Sequence, residues 1–263
     1  MSDQRIDSAR GIDRKTPHQS MPHVASMTWR HGLFAHWPVD PEAIRSHLPR
    51  ELTLETRDGH AWVSVLPFVL ANVGLRWSPS ILKTALPELN VRTYVRYRGE
   101  PGLFFFSVDI GAPLLARVIG QTTRLPVYHA RMRVGADGRQ VGFSSSRTDD
   151  ESGWDTHVGA RGESGARPPA RFDATYRPAG DVFTPRPGTL AYWLTERRRF
   201  YAPENGGVLT GEIAHNPWPL QPAEATITEN TMFEANGLPS PDGEPVCHYC
   251  EELAMTGSIP RRL

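Results

Sequence analysis

Residues 88–94 read Glu-Leu-Asn-Val-Arg-Thr-Tyr, an alternation of polar and apolar side chains that is typical of a β-strand. Because successive side chains of a strand point to opposite faces of a sheet, Asn90, Arg92 and Tyr94 fall on one face. Three polar side chains that face a barrel interior are costly unless they contact each other or a ligand. On a solvated face the same stripe would carry no function. We favour an internal pocket as its interpretation.

Similar short strand patterns, separated by proline and glycine, follow one another from Met27 onward. The predicted strands are Trp29–His36, Ala61–Val73, Leu89–Arg98, Leu103–Asp109, Val127–Val134, Gln140–Ser146, Arg171–Arg177, Val208–His215, Ala223–Thr231 and Val246–Met255. Short helices are predicted at Pro41–Leu48, Ala112–Gln121 and Thr189–Arg199. This order of elements indicates one α+β domain that is mostly antiparallel β, without a repeated strand–helix–strand unit.

Two segments lack these patterns. Residues 1–26 have no hydrophobic period and are predicted to form a disordered tail, which leaves residues 27–263 as the single domain. Residues 149–169 are polar and rich in glycine. We expect a long surface loop there, which is either a solvated insertion or a lid.

Composition excludes several classes of partner. Basic and acidic residues balance at 29 each, so we expect no nucleic-acid partner, which would require clustered positive charge. The most apolar stretch, Ala61–Leu75, contains Ser64, Pro67 and Asn72 and is too short to span a bilayer. No signal peptide is visible, and we expect a cytoplasmic protein without a membrane partner.

Familiar catalytic signatures are also missing from the sequence. It contains no GxSxG elbow, phosphate-binding P-loop or HExxH zinc helix, and it implies no cofactor. Cys247 and Cys250 resemble half of a metal or redox site. A zinc site would need a second pair of ligands, and none is evident, so we predict no metal site.

A second polar strand is predicted around His129. Val127, His129 and Arg131 share one of its faces, and Tyr128 lies on the other. An imidazole beside a guanidinium could bind an organic anion or act as a general base. The alternative is an exposed polar face covered by loops.

Two further candidates follow the third predicted helix. Glu196 stands next to Arg197, and adjacent residues do not face each other on a helix, so a structural ion pair with other partners is one role for Glu196. His215 ends a strand before Pro217-Trp218 and either caps that turn or borders the pocket.

Lysine is nearly missing from the chain, which carries Lys15 and Lys83 among its 29 basic residues. Lysine is the residue that forms Schiff bases with carbonyl substrates. A catalytic amine must be desolvated to become nucleophilic near neutral pH. Lys15 lies in the predicted tail and Lys83 in a predicted loop, so both are expected to be ordinary surface residues.

Taken together, these patterns resemble the YqjF-like proteins, the domain-of-unknown-function 2071 family. The resemblance covers nearly everything from residue 28 to the C-terminus. Its blocks are residues 29–41, Leu48-Pro49, residues 58–63, Pro67-Phe68, residues 89–95, residues 105–107, residues 126–132, residues 194–197 and residues 215–218. Residues 149–169 are longer than the corresponding loop of that family.

This resemblance implies a fold. The YqjF-like family is similar to acetoacetate decarboxylase, whose superfamily forms a cone-shaped, mostly antiparallel β-barrel around an internal pocket. In the decarboxylase, a Pro-Lys-Lys run supplies the Schiff-base lysine and a neighbour that depresses its pKa. The resemblance aligns this run with Pro126-Val127-Tyr128, and neither Val127 nor Tyr128 can form an imine. We therefore expect no decarboxylation by this route.

The sequence leaves two functions open. In the first, the barrel pocket holds a small organic anion or carbonyl compound: arginine binds its carboxylate, and Tyr128 or His129 acts as acid or base. The residues expected to line that pocket are Asn90, Arg92, Tyr94, Tyr128, His129, Arg131, Glu196 and His215. In the alternative, the barrel is a non-catalytic ligand sensor or an oligomerisation module, whose partner would be a second copy of the chain.

Overall fold

The computed structural model describes residues 21–78, 84–148, 169–204 and 207–263. Within these ranges the chain forms thirteen strands and four short helices. The strands are β1 (His23–Val39), β2 (Thr53–Leu54), β3 (Ala61–Leu75), β4 (Thr84–Tyr97), β5 (Glu100–Ile110), β6 (Val127–Asp137), β7 (Gln140–Arg147), β8 (Arg171–Pro178), β9 (Arg199–Glu204), β10 (Gly207–His215), β11 (Gln221–Asn230), β12 (Val246–Ser258) and β13 (Arg261–Arg262). The helices are α1 (Pro41–Arg45), α2 (Pro113–Thr123), α3 (Leu190–Thr195) and α4 (Met232–Ala235).

Every predicted strand overlaps an observed one, but two predicted segments extend into residues that form strands. The expected tail of residues 1–26 is too long, because β1 already begins at His23, and His23, Ala25 and Ser26 pair with the end of β12. The third helix was expected to reach Arg199, yet α3 ends at Thr195 and Arg199 opens β9, which pairs with β10. Residues 1–20 and 149–168, with Lys15 and nearly all of the expected loop, lie outside the described residues, as does Lys83.

The strands close into two rings that share one wall. A nine-strand ring runs through β5, β6, β7, β8, β11, β12, β1, β3 and β4 and returns to β5. A seven-strand ring follows β12, β1, β3, β4 and β5 and then closes through β9 and β10. Within the described residues, the pairings β5–β6 and β5–β9 are parallel and the others antiparallel. The predicted barrel, mostly antiparallel with a few short helices, is therefore confirmed.

Each shared strand contributes one face to each of two hydrophobic cores, as the two-residue period of a strand requires. On β4, Leu89, Val91 and Val95 belong to the core of the nine-strand ring, which also takes Phe143 and Phe172 from β7 and β8. We call the other cluster the seven-strand core. Its buried aromatic and large apolar residues include Trp29, Phe34, Trp62, Phe68, Tyr94, Phe105, Leu194, Phe200 and Trp218.

Among the helices in the described part of the chain, none combines the length and the apolar character that crossing a bilayer requires.

Candidate functional site

A row of polar side chains on β4 faces the seven-strand core. Asn90 and Arg92 are each 7 % exposed, and Tyr94 is fully buried. The predicted alternation is therefore present, and its polar face is enclosed by protein. Glu88 extends the same row and is 8 % exposed. It was missed at the sequence level, although its even spacing from Asn90 would have placed it there.

Neighbouring strands add His36 and Ser64 to this polar row. His36 of β1 lies opposite Ser64 of β3, and Ser64 lies opposite Arg92 of β4. His36 and Ser64 are fully buried. Side chains opposite one another on adjacent strands lie on the same face of a sheet. The three residues therefore form one cross-strand row inside the ring.

Short contacts connect His36, Ser64 and Tyr94. Ser64 Oγ lies 2.7 Å from His36 Nδ1 and 2.7 Å from Tyr94 Oη. Tyr94 Oη also donates to the backbone carbonyl of Leu194 at 3.0 Å and lies 3.4 Å from His36 Nδ1. These contacts fix the positions of the imidazole and the phenol.

Arg92 is a buried cation whose positive charge is not balanced by an ion pair in the described structure. Its Nη2 donates to the carbonyl of Leu194 at 3.3 Å, and its guanidinium carbon lies 5.9 Å from the ring centre of Phe34. None of the carboxylates in the described residues forms an ion pair with it. Burial lowers the pKa of Arg92, and the nearby Arg197 lowers it further, while Tyr94 opposes the shift. Arg197 itself pairs with Glu55 at 2.7 Å.

Several polar atoms around this row have no hydrogen-bond partner in the described structure. Buried polar groups in native proteins are bonded in the large majority of cases, so a cluster of exceptions needs an explanation. The enclosed atoms on the side of the seven-strand core are His36 Nε2, Asn90 Oδ1, Arg92 Nε, Trp29 Nε1 and His248 Nδ1. Donors and acceptors that remain unused next to a buried cation are what a polar ligand would contact.

The two imidazoles of the cluster are neutral. The ring centres of His36 and His248 lie 6.0 Å apart. Burial lowers the pKa of His36 well below its usual value, and His248 and Arg92 lower it further. Burial also lowers the pKa of His248. Neutral imidazole has one nitrogen that accepts and one that donates, so each ring can exchange a proton with a ligand.

Glu88 is the titratable group at the other end of the β4 row. Burial raises the pKa of its carboxyl to about 7, although Asn90 partly opposes the shift. A carboxyl group with such a pKa exists in both protonation states near neutral pH. This is the range in which a group serves best as general acid or base.

An aromatic wall borders the polar cluster. The rings of Trp29 and Phe68 stack with centres 3.8 Å apart, and Phe34 stacks on Trp29 at 5.0 Å. Trp218 contacts both Trp29 and Phe34 edge-on. A Cβ atom on Gly32 would lie 2.1 Å from the indole of Trp29, so glycine is needed for this packing. The wall gives the site one apolar side, which is common in small-molecule sites.

Glu196 and His215 lie beside the cluster, and their side chains contact other groups of the protein. Glu196 accepts from Arg198 at 2.7 Å and from the backbone nitrogen of Trp218 at 2.9 Å. His215 Nδ1 lies 2.6 Å from the carbonyl of Asn216, and burial together with Arg198 lowers the pKa of this histidine to about 3. Both residues line an open groove of about 440 Å³ together with Arg198.

The predicted residues of β6 do not join Arg92. Arg131 is exposed, and the Nδ1 of His129 lies 3.0 Å from the hydroxyl of Thr148. Tyr128 stacks under Arg147 at 3.7 Å. The expected convergence of all eight residues is therefore wrong, because β6 leaves β5 after three paired residues and belongs to the nine-strand ring alone. Of these strand residues, Val127 does pack against the seven-strand core.

The two cysteines lie on β12 as free thiols. Burial raises the pKa of Cys247 and that of Cys250 to about 12. Among the described residues, no group of three or more histidine, cysteine or carboxylate side chains is placed to hold a metal ion.

Residues 26–254 match the model of the family DUF2071, described as an uncharacterized conserved protein. The chain belongs to DUF2071. The uncharacterized protein YqjF of Bacillus subtilis (strain 168) is 39 % identical over 232 residues, which cover 87 % of this chain and 88 % of YqjF.

Solved structures similar to this DUF2071 chain have acetoacetate decarboxylase-like folds. The enduracididine biosynthesis enzyme MppR complexed with pyruvate matches with a TM-score of 0.59 at 12 % identity, covering 94 % of this chain and 93 % of that one. An acetoacetate decarboxylase-like enzyme from Sphingomonas wittichii RW1 has the same TM-score and identity, covering 92 % and 93 %. Acetoacetate decarboxylase from Legionella pneumophila matches with a TM-score of 0.54 at 13 % identity, covering 99 % and 98 %. At such identities these matches establish the fold alone.

Proposed function

We propose that this DUF2071 protein binds a small organic anion, a carboxylate that can also carry a carbonyl group, inside the seven-strand ring. Arg92 is the counter-ion of the ligand, and His36 and Glu88 supply the groups that can exchange protons with it. The aromatic wall around Trp29 and Phe34 covers the apolar part of the ligand.

The observation that carries this proposal is the unpaired charge of Arg92. A guanidinium offers five N–H donors, and the carbonyl of Leu194, which Tyr94 also uses, satisfies only part of them. Leaving a buried charge without an opposite charge is strongly unfavourable. A bound carboxylate would supply that charge and could accept a bidentate pair of hydrogen bonds.

Imine chemistry is not part of the proposal. Val127 packs against the seven-strand core at the position where the resemblance to acetoacetate decarboxylase places the Schiff-base lysine, and valine has no amine. Treatment with borohydride in the presence of pyruvate should therefore leave the mass of the protein unchanged. A covalent adduct would contradict this part of the proposal.

A thermal-shift screen with small carboxylates tests the binding site. Pyruvate is a suitable first probe because a protein of similar fold was solved with it. A ligand at 100 times its Kd stabilises the folded state by about 2.7 kcal/mol, which raises the unfolding temperature. The shift should disappear in Arg92→Gln and persist in the matched control Arg131→Gln, whose guanidinium is exposed on β6.

The opposite pattern, in which Arg131→Gln abolishes the shift and Arg92→Gln does not, would place the ligand on β6 and refute the proposal. For each carboxylate that binds, NMR of the ligand over hours at neutral pH then separates an enzyme from a sensor. Conversion that requires His36 or Glu88 indicates catalysis, whereas an unchanged ligand indicates the non-catalytic alternative.

A further inference from the structure

A chain of three short contacts leads from the carbonyl of Leu194 to His36. Tyr94 Oη lies 3.0 Å from that carbonyl, Ser64 Oγ lies 2.7 Å from Tyr94 Oη, and His36 Nδ1 lies 2.7 Å from Ser64 Oγ. Contacts as short as these between buried polar atoms each require one hydrogen. The four groups together must therefore supply three hydrogens in the correct order.

Only one order satisfies all three contacts. A carbonyl cannot donate, so the single hydroxyl hydrogen of Tyr94 goes to Leu194. Ser64 must then donate its own hydrogen to Tyr94. His36 must in turn carry its hydrogen on Nδ1 and donate it to Ser64. The contact of 3.4 Å between Tyr94 and His36 is the longest of the group and needs no hydrogen.

This order determines what His36 presents to its surroundings. With the hydrogen on Nδ1, the Nε2 atom of the neutral ring is a bare acceptor. Nε2 is enclosed and has no hydrogen-bond partner in the described structure. The ring stays neutral because burial, His248 and Arg92 all lower the pKa of His36.

His36 and Arg92 are close enough to contact one small ligand. They lie in the same cross-strand row with Ser64 between them. Adjacent strands are about 4.8 Å apart, so the two backbones are separated by roughly 10 Å and the side chains by less where both point into the ring. The guanidinium of Arg92 attracts an anion, and the Nε2 atom of His36 can accept a hydrogen bond from a donor.

We infer that the ligand is a hydroxy acid, whose carboxylate binds Arg92 and whose hydroxyl group donates to His36 Nε2. The inference rests on the anion site proposed above and adds the class of ligand. A keto acid of the same length would place a carbonyl lone pair against the bare nitrogen. Both acceptors would then be buried without a hydrogen, which is the situation that lets a polar site reject a close analogue.

Matched pairs of acids test the inference. Lactate with pyruvate and 3-hydroxybutyrate with acetoacetate differ only in the hydroxyl or keto group, and each hydroxy acid is titrated as both enantiomers. In calorimetric titrations, one enantiomer of the hydroxy acid should bind about tenfold or more tightly than its keto partner. Equal affinities, or tighter binding of the keto acids, would overturn the inference.

Tyr94→Phe is the sharpest variant, because it removes the acceptor of the Ser64 hydrogen. Ser64 can then donate to His36 Nδ1, which moves the imidazole hydrogen to Nε2 and turns that atom into a donor. The preference for the hydroxy acid should then be lost, because the oxygens of a hydroxyl and of a carbonyl both accept from an Nε2–H group. Ser64→Ala removes both short contacts that connect Tyr94 with His36, and the two acids of a pair should then bind within about threefold of each other. A hydroxy-acid preference that survives in Tyr94→Phe would contradict the assigned hydrogen order.

The failures of the two proposals are distinguishable. If hydroxy and keto acids bind equally well and Arg92→Gln abolishes both, the anion site stands and the hydroxy-acid inference fails. If none of the acids binds the unmodified protein, both fail. An independent measurement needs no ligand and no variant: the ¹⁵N chemical shifts of labelled histidine should show His36 with Nδ1 protonated and Nε2 unprotonated. The opposite tautomer would overturn the inference.

Discussion

Arg92 and Tyr94 donate to the same backbone carbonyl, that of Leu194, at 3.3 Å and 3.0 Å. Leu194 is the penultimate residue of α3, whose last carbonyls have no partners within the helix. The two β4 side chains thus hold the end of α3 against the seven-strand ring. Tyr94 donates its only hydrogen in this bond, whereas Arg92 has further N–H donors, of which Nε has no partner in the described structure. The two residues should therefore respond differently to mutation.

Replacing Arg92 by methionine should not destabilise the ligand-free protein. We expect the free energy of unfolding to stay the same or to rise by up to about 2 kcal/mol. The substitution removes a buried charge that has no opposite charge in the described residues, and replacing buried charged groups with apolar ones of similar volume is often neutral or stabilising. Urea unfolding without added carboxylates measures this. A loss of several kcal/mol would show that Arg92 is a structural residue.

Replacing Tyr94 by phenylalanine should lower the free energy of unfolding by about 1–3 kcal/mol, because the fully buried hydroxyl of Tyr94 bonds both Ser64 and Leu194. Tyr192→Phe is the matched control, since this tyrosine is 37 % exposed. The same unfolding experiment should show a change within about 0.5 kcal/mol for the control. Equal effects of the two substitutions would contradict a buried hydrogen-bond chain.

Glu88 should make stability depend on pH. Below pH 4.5, the usual pKa of glutamate, both the folded and the unfolded protein hold this proton. Between that value and about 7, where burial places the pKa of Glu88, only the folded state keeps it. The folded state then binds more protons, so the free energy of unfolding falls as the pH rises. Above pH 7 this contribution stays constant, at a loss of roughly 3 kcal/mol.

Glu88→Gln isolates that contribution. Glutamine does not titrate, so the variant should gain stability relative to the unmodified protein as the pH rises from 4.5 to 7 and hold that gain at higher pH. Denaturant unfolding of both proteins at several pH values gives the difference curve, in which the other titratable groups largely cancel. A difference that does not change with pH would show that Glu88 ionises normally.

Asp109 and Arg147 form a largely buried ion pair on the side of the nine-strand ring. Asp109 is fully buried and accepts two hydrogen bonds from Arg147, at 2.7 Å and 3.2 Å. Asp109→Asn should lower the free energy of unfolding by about 3–5 kcal/mol, because the cation is left without its partner. Glu224→Gln, which breaks an exposed pair with Arg177, should cost less than about 1 kcal/mol. Similar losses in both variants would contradict this difference in burial.

The cysteines should be unreactive in the folded protein. Burial raises the pKa of both Cys247 and Cys250 to about 12, so very little thiolate exists at pH 8. Mass spectrometry after iodoacetamide treatment at that pH should show an unmodified native protein and two alkylated cysteines in urea. Rapid alkylation of either thiol in the native protein would indicate an activated, functional cysteine.

The sequence predicted most strands well because each is either an alternating run, as in β7, or a continuous apolar run, as in β3, and both signals are independent of the neighbouring strands. The polar face of β4 shows this most clearly, since the pattern at residues 88–94 required only local geometry. β9 was missed because the segment 199–204 is short and directly follows a helical pattern. Its strand conformation comes from pairing with β10 and β5.

The composition of the site was harder to predict, because it depends on which strands meet. His36 and Ser64 are unremarkable in isolation and become partners of Arg92 only through the registers β1–β3 and β3–β4. His129 and Arg131 have the more suggestive local motif, yet their strand turns away from the seven-strand ring after three paired residues. Register and ring closure are properties of the whole fold, and a local alternation contains neither.

The most direct test of the anion site is a crystal structure of the protein with the carboxylate that gives the largest thermal shift. We predict density for its carboxylate within hydrogen-bonding distance of Arg92 Nε, the enclosed donor that has no partner in the described residues. Density confined to the open groove beside Arg198, or to the exposed face of β6 at Arg131, would contradict a ligand site inside the seven-strand ring.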